Sequence, residues 1–143
     1  MMAPDLERVA EQYHQAVDEI VKGSADGFRR AYARRDDVTL ANPFGPPARG
    51  WEQVEQTLKR AASQMRDGAL TGVERIVTGM TAELAYIVEI ERGRTKFGSR
   101  DDITPYALRV TTIFRPEEGT WKVVHRHADP ITTPRPAESA LER

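Results

Sequence analysis

The apolar positions in the first half of the chain recur at steps of three and four residues, the spacing of one face of an α-helix. This pattern predicts a first helix from about Asp5 to Gly23, and Ser24 is a suitable N-cap for a short second helix. A third helix is predicted to begin near Trp51 and to be closed by Gly68. The apolar face of the first helix consists of Leu6, Val9, Ala10, Tyr13, Ala16, Val17, Ile20 and Val21.

Beyond residue 70 the pattern changes to segments rich in valine, isoleucine, threonine and aromatic residues, which are typical of strands. Tight turns at 79–83 and 116–119 and a longer charged loop at 93–104 separate four predicted strands, at 70–78, 84–92, 106–115 and 120–128. A short strand at 38–41 comes before a proline-rich break at 42–47. Helices followed by an antiparallel meander predict an α+β fold with the helices on one face of the sheet.

Alternation along each strand sends successive side chains to opposite faces of the sheet. If the more apolar set packs on the helices, the inward side chains are Tyr86, Val88, Ile90, Val110 and Phe114, with Val124 and Arg126 as further candidates. The opposite, outer face then holds Ile87, Glu89, Arg109, Thr111, Ile113, Trp121, Val123, His125 and His127. This assignment assumes that no β-bulge shifts a strand by one residue.

Such an outer face carries more large apolar groups than a sheet face open to water normally does. We therefore predict a homodimer or a larger oligomer that forms through it, and the alternative is that the C-terminal tail folds back and covers it. The ionisable and polar members of the face are predicted to form an interface or a buried polar network: Glu89, Arg109, Thr111, His125 and His127.

Composition narrows the class of protein without naming a function. The chain has 143 residues, 39% of them hydrophobic and 30% charged, with a formal net charge of −1. This predicts one globular domain over residues 1–130 with an extended or mobile tail at 131–143, and it gives no expectation of a nucleic-acid partner. The absence of cysteine excludes disulfides, cysteine-ligated zinc and cysteine nucleophiles. No apolar stretch is long enough to span a membrane or serve as an export signal, so a cytoplasmic protein is expected.

Two strings of residues carry a resemblance to a known family. The first is Leu40-Ala41-Asn42-Pro43-Phe44-Gly45, followed by Arg49-Gly50-Trp51 at the start of the third helix. The second is Arg109-x-Thr111 with Gly119-x-Trp121-Lys122-Val123-Val124-His125-x-His127. Over residues 5–130 the chain resembles the nuclear transport factor 2-like superfamily, in its SnoaL-like and ketosteroid-isomerase-like branch. The resemblance implies a cone, in which a curved antiparallel sheet wraps around three N-terminal helices and leaves a pocket at one end.

The resemblance also implies roles for two residues. Tyr13 matches the isomerase tyrosine that donates to the substrate oxyanion, although it is equally read as a core tyrosine with a satisfied hydroxyl. Asn42 falls where the isomerases carry a carboxylate base, and an amide cannot accept a proton near pH 7. The predicted inward positions of the 106–115 strand also lack the isomerases' protonated acid. A standard steroid isomerisation is therefore not expected.

A pocket lined by aromatic groups suits a small, hydrophobic, oxygenated ligand. We predict Tyr13 and Asn42 as catalytic or orienting groups and Phe28, Phe44, Trp51, Tyr86 and Arg126 as ligand-binding residues. The reaction would be an isomerisation, cyclisation, dehydration or hydrolysis by acid–base groups, without a cofactor. The alternative function is a non-catalytic dimerisation or accessory assembly domain.

A metal site is a further possibility that the residues raise. His125-x-His127 and Asp129, with Glu89 as another ligand, could chelate a transition metal. The same residues equally suit a buried polar network with Glu89, Glu91 and Arg109. No metal is predicted. His14, at the edge of the first helix's apolar face, is interpreted as a boundary histidine.

Overall fold

A computed structural model describes residues 5–142 of the chain; residues 1–4 of the predicted domain and residue 143 of the predicted tail lie outside this range. Within it, the helices are α1 (Leu6–Ile20), α2 (Asp26–Ala31) and α3 (Trp51–Ser63). The strands are β1 (Thr39–Ala41), β2 (Ala48–Arg49), β3 (Met65–Met80), β4 (Ala85–Phe97), β5 (Thr104–Glu117) and β6 (Thr120–Asp129). A 3₁₀ helix, Ala137–Ala140, follows in the exposed tail.

The strands form a curved sheet in the order β2-β1-β6-β5-β4-β3. From β3 to β6 each strand pairs antiparallel with the next, while β1 lies parallel to β6. Three register shifts in the β3–β4 pair and one in the β5–β6 pair bend the sheet, because each bulge adds a residue to one strand only. The predicted α+β cone is confirmed.

The helices fill the concave side of this sheet. Asp5 caps α1 by accepting a hydrogen bond from the Arg8 backbone N–H at 3.2 Å, and the predicted apolar face of the helix is buried. Tyr13 packs edge-on against Phe28 of α2 and Phe114 of β5, each with 5.8 Å between ring centroids. These contacts place the hydrophobic core between α1, α2 and the inward face of the sheet.

The end of α3 differs from the prediction, because the helix stops at Ser63 and Gly68 lies within β3. The Gly68 N–H donates to the Val21 carbonyl at 3.0 Å. A Cβ at this position would lie 2.5 Å from that oxygen and 2.6 Å from the Arg94 carbonyl oxygen. Gly68 is therefore required for a close approach between the end of α1 and the sheet, rather than to close a helix.

The strands are longer than predicted, and residues 93–97 of the expected charged loop belong to β4. Here charged side chains alternate with Gly93 and Thr95, whose positions are buried. The Thr95 hydroxyl oxygen lies 2.7 Å from the Val21 carbonyl oxygen and 3.0 Å from the Arg66 carbonyl oxygen, and its hydrogen can be donated to either. The sequence did not predict a strand here because the buried face carries Gly93 and Thr95, which are not typical core residues, and the other face is charged.

The predicted facing of β4 is wrong. Its buried side is Ala85, Ile87, Glu89 and Glu91, and the more apolar Tyr86, Val88 and Ile90 lie on the outer face. The prediction assumed that the more apolar set packs inward. The side with Glu89 and Glu91 faces inward instead, because Arg75 and Arg126 are placed to pair with these two carboxylates.

The facing of β6 is partly corrected. Trp121 and Val123, predicted on the outer face, are buried inside. A register shift opposite Ile113 and Phe114 then changes the alternation. Beyond the shift Arg126 faces inward, as predicted, and His125 and His127 face outward. Val110 and Phe114 of β5 are buried inside as expected. No helix within residues 5–142 is long and apolar enough to cross a membrane.

Candidate functional site

A cavity of about 450 Å³ lies between α1, α3 and the inward face of the sheet. Its walls are mostly apolar and include Val17, Ile20, Leu58, Phe97 and Leu108. Residues 42–44 of the proline-rich turn border it, as do Pro130 and Thr132 just after β6. A cavity of this size and character suits a small organic molecule.

An ion pair forms the polar part of the cavity wall. The Arg126 guanidinium of β6 donates to both carboxylate oxygens of Glu91 on β4, at 2.7 and 2.8 Å. The Glu91 side chain is fully buried and the Arg126 side chain is 8% exposed. Two parallel hydrogen bonds of this kind fix both groups in one geometry. The sequence analysis predicted Arg126 as a ligand-binding residue, whereas it considered Glu91 only for a polar network with the late histidines.

Tyr13 lies behind this ion pair rather than among the residues that line the cavity. Arg126 donates to the Tyr13 hydroxyl oxygen at 2.5 Å, and Thr112 lies 2.6 Å from the same oxygen. Because the guanidinium can only donate, the phenol oxygen accepts from it and its own hydrogen is available to Thr112. Burial raises the pKa of Tyr13 to about 12. In this geometry Tyr13 orients Arg126, with the guanidinium carbon 5.6 Å from its ring centroid.

Asn42 and Phe44 lie at the border of the cavity. The Asn42 side-chain oxygen accepts the Phe44 backbone N–H at 3.0 Å, a short-range bond that shapes the turn. Phe44 is 57% exposed. Phe28, in contrast, is buried and lines the cavity beneath Arg126, whose guanidinium carbon is 5.4 Å from the Phe28 centroid. The structure thus brings four of the predicted site residues together: Phe28, Asn42, Phe44 and Arg126.

Two predicted ligand-binding residues are placed elsewhere. Trp51 packs on Tyr32 with 6.2 Å between ring centroids, and the Arg34 guanidinium carbon lies 5.3 Å from the Trp51 ring centroid. Tyr86 is 41% exposed on the outer face of the sheet. Neither lines the cavity.

Tyr106 lines the cavity and was missed by the sequence analysis. Its hydroxyl is buried and has no hydrogen-bond partner among the described residues. Burial, and then the nearby charge of Glu91, raises the pKa of Tyr106 to about 12, so the phenol keeps its proton at neutral pH. Tyr106 lies an even number of residues from Val110 and Phe114 on β5, so strand alternation alone could have placed its side chain on the inward face.

Glu89, predicted on the outer face, is instead 1% exposed inside the cone, away from the cavity lining. Its carboxylate oxygens accept from His14 Nε2 and Arg75 Nε, each at 2.7 Å. Arg75 also bonds Glu7 at 3.0 Å. Burial by itself would raise the pKa of Glu89, but the hydrogen bonds and charges of His14 and Arg75 outweigh it and lower the pKa. These contacts hold the first half of α1 on the sheet.

The remaining polar residues lie on the outer face, as predicted. Arg109 Nε donates to Asp129 at 2.8 Å, and His127 Nε2 lies 3.1 Å from the same carboxylate. His125 Nδ1 lies 2.7 Å from the Thr39 hydroxyl, and Thr111 is half-buried beside them. Burial, and then His127, lowers the pKa of His125. Among the described residues, no group of three or more histidines and carboxylates is placed to hold a metal ion.

Comparison with solved structures gives the fold independent support. A nuclear transport factor 2-like superfamily protein from Salmonella enterica superimposes with a TM-score of 0.74 at 12% identity, covering 92% of each chain. A ketosteroid isomerase-like protein from Erwinia carotovora has a TM-score of 0.72 at 18% identity, covering 89% of this chain and 94% of the other. A candidate calcium/calmodulin-dependent protein kinase type II association domain from Thiobacillus denitrificans has a TM-score of 0.71 at 20% identity, covering 92% and 99%.

At these identities the likeness concerns the fold alone. None of the curated proteins is significantly similar to the chain in sequence. The model of the SnoaL-like domain matches residues 6–132, nearly the whole region over which the sequence carries its resemblance. The chain therefore belongs to the SnoaL-like domain family.

Proposed function

We propose that this domain binds a small, hydrophobic, oxygenated molecule in the cavity between α1, α3 and the sheet. The observation that carries the proposal is a cavity of about 450 Å³ whose mostly apolar walls include the Glu91–Arg126 ion pair and Tyr106. Apolar walls provide affinity for the ligand's carbon skeleton, and a few fixed polar groups orient its oxygen.

Acid–base chemistry in this cavity would use Glu91 rather than Asn42. Asn42 cannot accept a proton, whereas Glu91 is the one carboxylate among the described lining residues. Each oxygen of the carboxylate accepts one hydrogen bond from Arg126 and keeps a further lone pair. Glu91 as proton acceptor and Tyr106 as hydrogen-bond donor would support an isomerisation, cyclisation, dehydration or hydrolysis without a cofactor.

Nile red, an uncharged dye that fluoresces in apolar surroundings, tests the cavity. Ala61 of α3 lines the cavity, and Ala61→Phe places a phenyl ring there. We expect this substitution to weaken dye binding about tenfold or more, equivalent to about 1.4 kcal/mol, measured by fluorescence titration.

The matched control is Ala140→Phe, because Ala140 is exposed in the C-terminal tail. It adds the same ring without entering the cavity and should leave the affinity unchanged. Thermal unfolding of both variants establishes that they are folded. A folded Ala61→Phe protein that binds the dye as tightly as the original would show that the cavity is not the binding site.

A second candidate function, self-association through the outer face, is favoured by one observation. Tyr86, Val88, Ile90 and Ile113 form an apolar strip across β4 and β5 on that face, and Tyr86 is 41% exposed. Arg109, Thr111, His125 and His127 flank it. The Thiobacillus neighbour is named an association domain, a role that this face could serve in a homodimer.

A further inference from the structure

Two histidines lie side by side on the outer face of β6. His125 and His127 are two residues apart in one strand, so their side chains leave the sheet in the same direction, with Cα atoms about 7 Å apart. His125 is half-buried and the His127 side chain is 51% exposed, so solvent reaches both. In a chain without cysteine, imidazole is the side chain best suited to bind zinc, nickel or copper ions.

Each ring is oriented through one of its nitrogens by a neighbouring side chain. His125 Nδ1 lies 2.7 Å from the Thr39 hydroxyl oxygen, and His127 Nε2 lies 3.1 Å from an Asp129 carboxylate oxygen. Asp129 is itself fixed by Arg109, whose Nε donates to both carboxylate oxygens at 2.8 and 3.0 Å. A hydroxyl or carboxylate bonded to one ring nitrogen is also what orients the histidine ligands of metal sites.

The other nitrogen of each ring is available to bind a metal ion. Within residues 5–142, no hydrogen bond involves His125 Nε2 or His127 Nδ1. With Thr39 and Asp129 accepting the ring N–H groups, each of these nitrogens keeps a lone pair. Two imidazole lone pairs therefore lie next to each other on the surface of the sheet.

One chain supplies only half of a zinc site. Structural zinc takes four ligands, and His125 and His127 provide two. The third histidine of the chain, His14, bonds Glu89 inside the cone, so neither of these side chains reaches the outer face. No group of three histidines or carboxylates is placed to hold a metal ion in the described part of the chain. Further ligands must come from outside the chain.

A second copy of the chain is the source that this face favours. His125 lies directly opposite Ile113, which belongs to the apolar strip of the second candidate function. Two copies that bury this strip against each other bring their β6 strands close together. Since a two-fold axis repeats every contact, an axis beside β6 places one pair of histidines against the same pair of the other copy. Four imidazole nitrogens complete a tetrahedral zinc site.

We infer that His125 and His127 of two copies together bind one divalent transition-metal ion, and that this ion links the two chains through their outer faces. Asp129 and Thr39 act as positioning residues, because they hold the rings without binding the ion. The inference rests on the second candidate function, self-association, since it names what joins the two surfaces.

Zinc titration of the protein after treatment with EDTA tests the link. We expect calorimetry to give one zinc ion for every two chains. Light scattering should show a dimer about tenfold tighter with zinc than with EDTA, when free zinc is about ten times its dissociation constant. Magnesium, which prefers oxygen ligands, is the control and should have no effect. Zinc bound at one ion per chain without a change in mass, or no zinc binding, would overturn the inference.

His127→Gln removes one ligand at an exposed position, so the variant is expected to fold. We expect it to weaken zinc binding about tenfold or more and to abolish the effect of zinc on the dimer. The matched control is His14→Gln, which deletes an imidazole inside the cone and should leave zinc binding unchanged. Thermal unfolding establishes that each variant is folded. Unchanged zinc binding in His127→Gln would overturn the inference.

Asp129→Asn tests the positioning role, because an amide replaces the carboxylate that holds His127. Loss of such an outer partner typically costs about 10–100-fold in metal affinity, and we expect a loss in this range by calorimetry. Asp37→Asn is the control, since Asp37 pairs with Arg115 elsewhere on the surface. Equal zinc affinities in the two variants would contradict the role given to Asp129.

The second candidate function fails in a different way from this inference. A monomer in zinc and in EDTA alike would overturn self-association, and the metal link with it. A dimer that forms equally well with zinc and with EDTA would leave self-association in place and overturn the metal link alone.

Discussion

The buried carboxylates of β4 are held by basic side chains that come from other elements. Glu89 accepts hydrogen bonds from His14 of α1 and Arg75 of β3, and Glu91 pairs with Arg126 of β6. A buried carboxylate without such partners would be strongly unfavourable. These pairs explain why the more polar side of β4 faces the core.

Glu89→Gln is expected to lower the free energy of unfolding at pH 7 by about 3 kcal/mol, because it breaks a pairing in which the carboxylate is buried. The folded-state pKa of Glu89 is lowered, so its stabilisation is present above the unfolded pKa. It is lost as pH falls through the lowered folded value. The difference between the unmodified protein and the variant should therefore shrink below about pH 4.5, the unfolded reference value.

Urea denaturation at a series of pH values measures this difference. Glu74→Gln is the control on the adjacent strand, since the Glu74–Arg92 pair has more than half of each side chain exposed. Exposed pairs contribute about 0–1 kcal/mol, so little change is expected. A Glu89→Gln protein as stable as the Glu74→Gln protein at pH 7 would contradict the role given to Glu89.

At the scale of elements, β3 crosses the end of α1 at a distance that only glycine permits. The Gly68 position is closed in by the carbonyl oxygens of Val21 and Arg94. The Gly68 N–H bond to Val21 and the Thr95 hydroxyl bond to the same carbonyl join the helix end to both strands. This junction sets the position of α1 above the cavity.

Gly68→Ala is expected to destabilise the fold by about 1–3 kcal/mol, because its Cβ would lie 2.5–2.6 Å from two backbone oxygens that must move. Gly72→Ala in the same strand is the matched control. Nothing lies within 4 Å of a Cβ there, so the change should be small. Urea denaturation compares the two variants. Equal stability would show that the close approach at Gly68 has no energetic importance.

At the scale of the whole molecule, the inner and outer faces of the sheet carry different candidate sites. The inner face bears the cavity and the buried ion pairs, and the outer face bears an apolar strip between polar residues. An apolar strip beside ionisable groups is a common composition for an interface. The two candidate functions are therefore separable by substitution.

Light scattering at micromolar concentration is expected to show a dimer or a larger oligomer. Ile90→Glu puts a charge in the apolar strip and should shift the protein to monomer, while Ile131→Glu in the tail should not. Arg109→Ala, at the edge of the strip, should weaken assembly less. A monomer for the unmodified protein at every concentration would remove the second candidate function.

Much of the fold could be predicted because local periodicity specifies each element. The apolar face of α1, the α+β order and the four later strands follow from residue spacing and strand propensity. Of the site, Phe28, Asn42, Phe44 and Arg126 were found, three of them from the family resemblance or from aromatic character. Tyr86 and Trp51 were misplaced in space because aromatic residues are equally suited to a pocket, a core or an interface.

The sequence by itself determined which helices and strands form the cone and to which family the chain belongs, since amphipathic spacing and short motifs are local properties. The tertiary structure decided which side of β4 faces inward, because that depends on Arg75 and Arg126 reaching the carboxylates from other strands. It also decided that Tyr106, opposite Gly93, lines the cavity and has a buried hydroxyl with no hydrogen-bond partner in the described part of the chain. Strand facing and pocket chemistry depend on bulges and on partners distant in sequence, and periodicity alone contains neither.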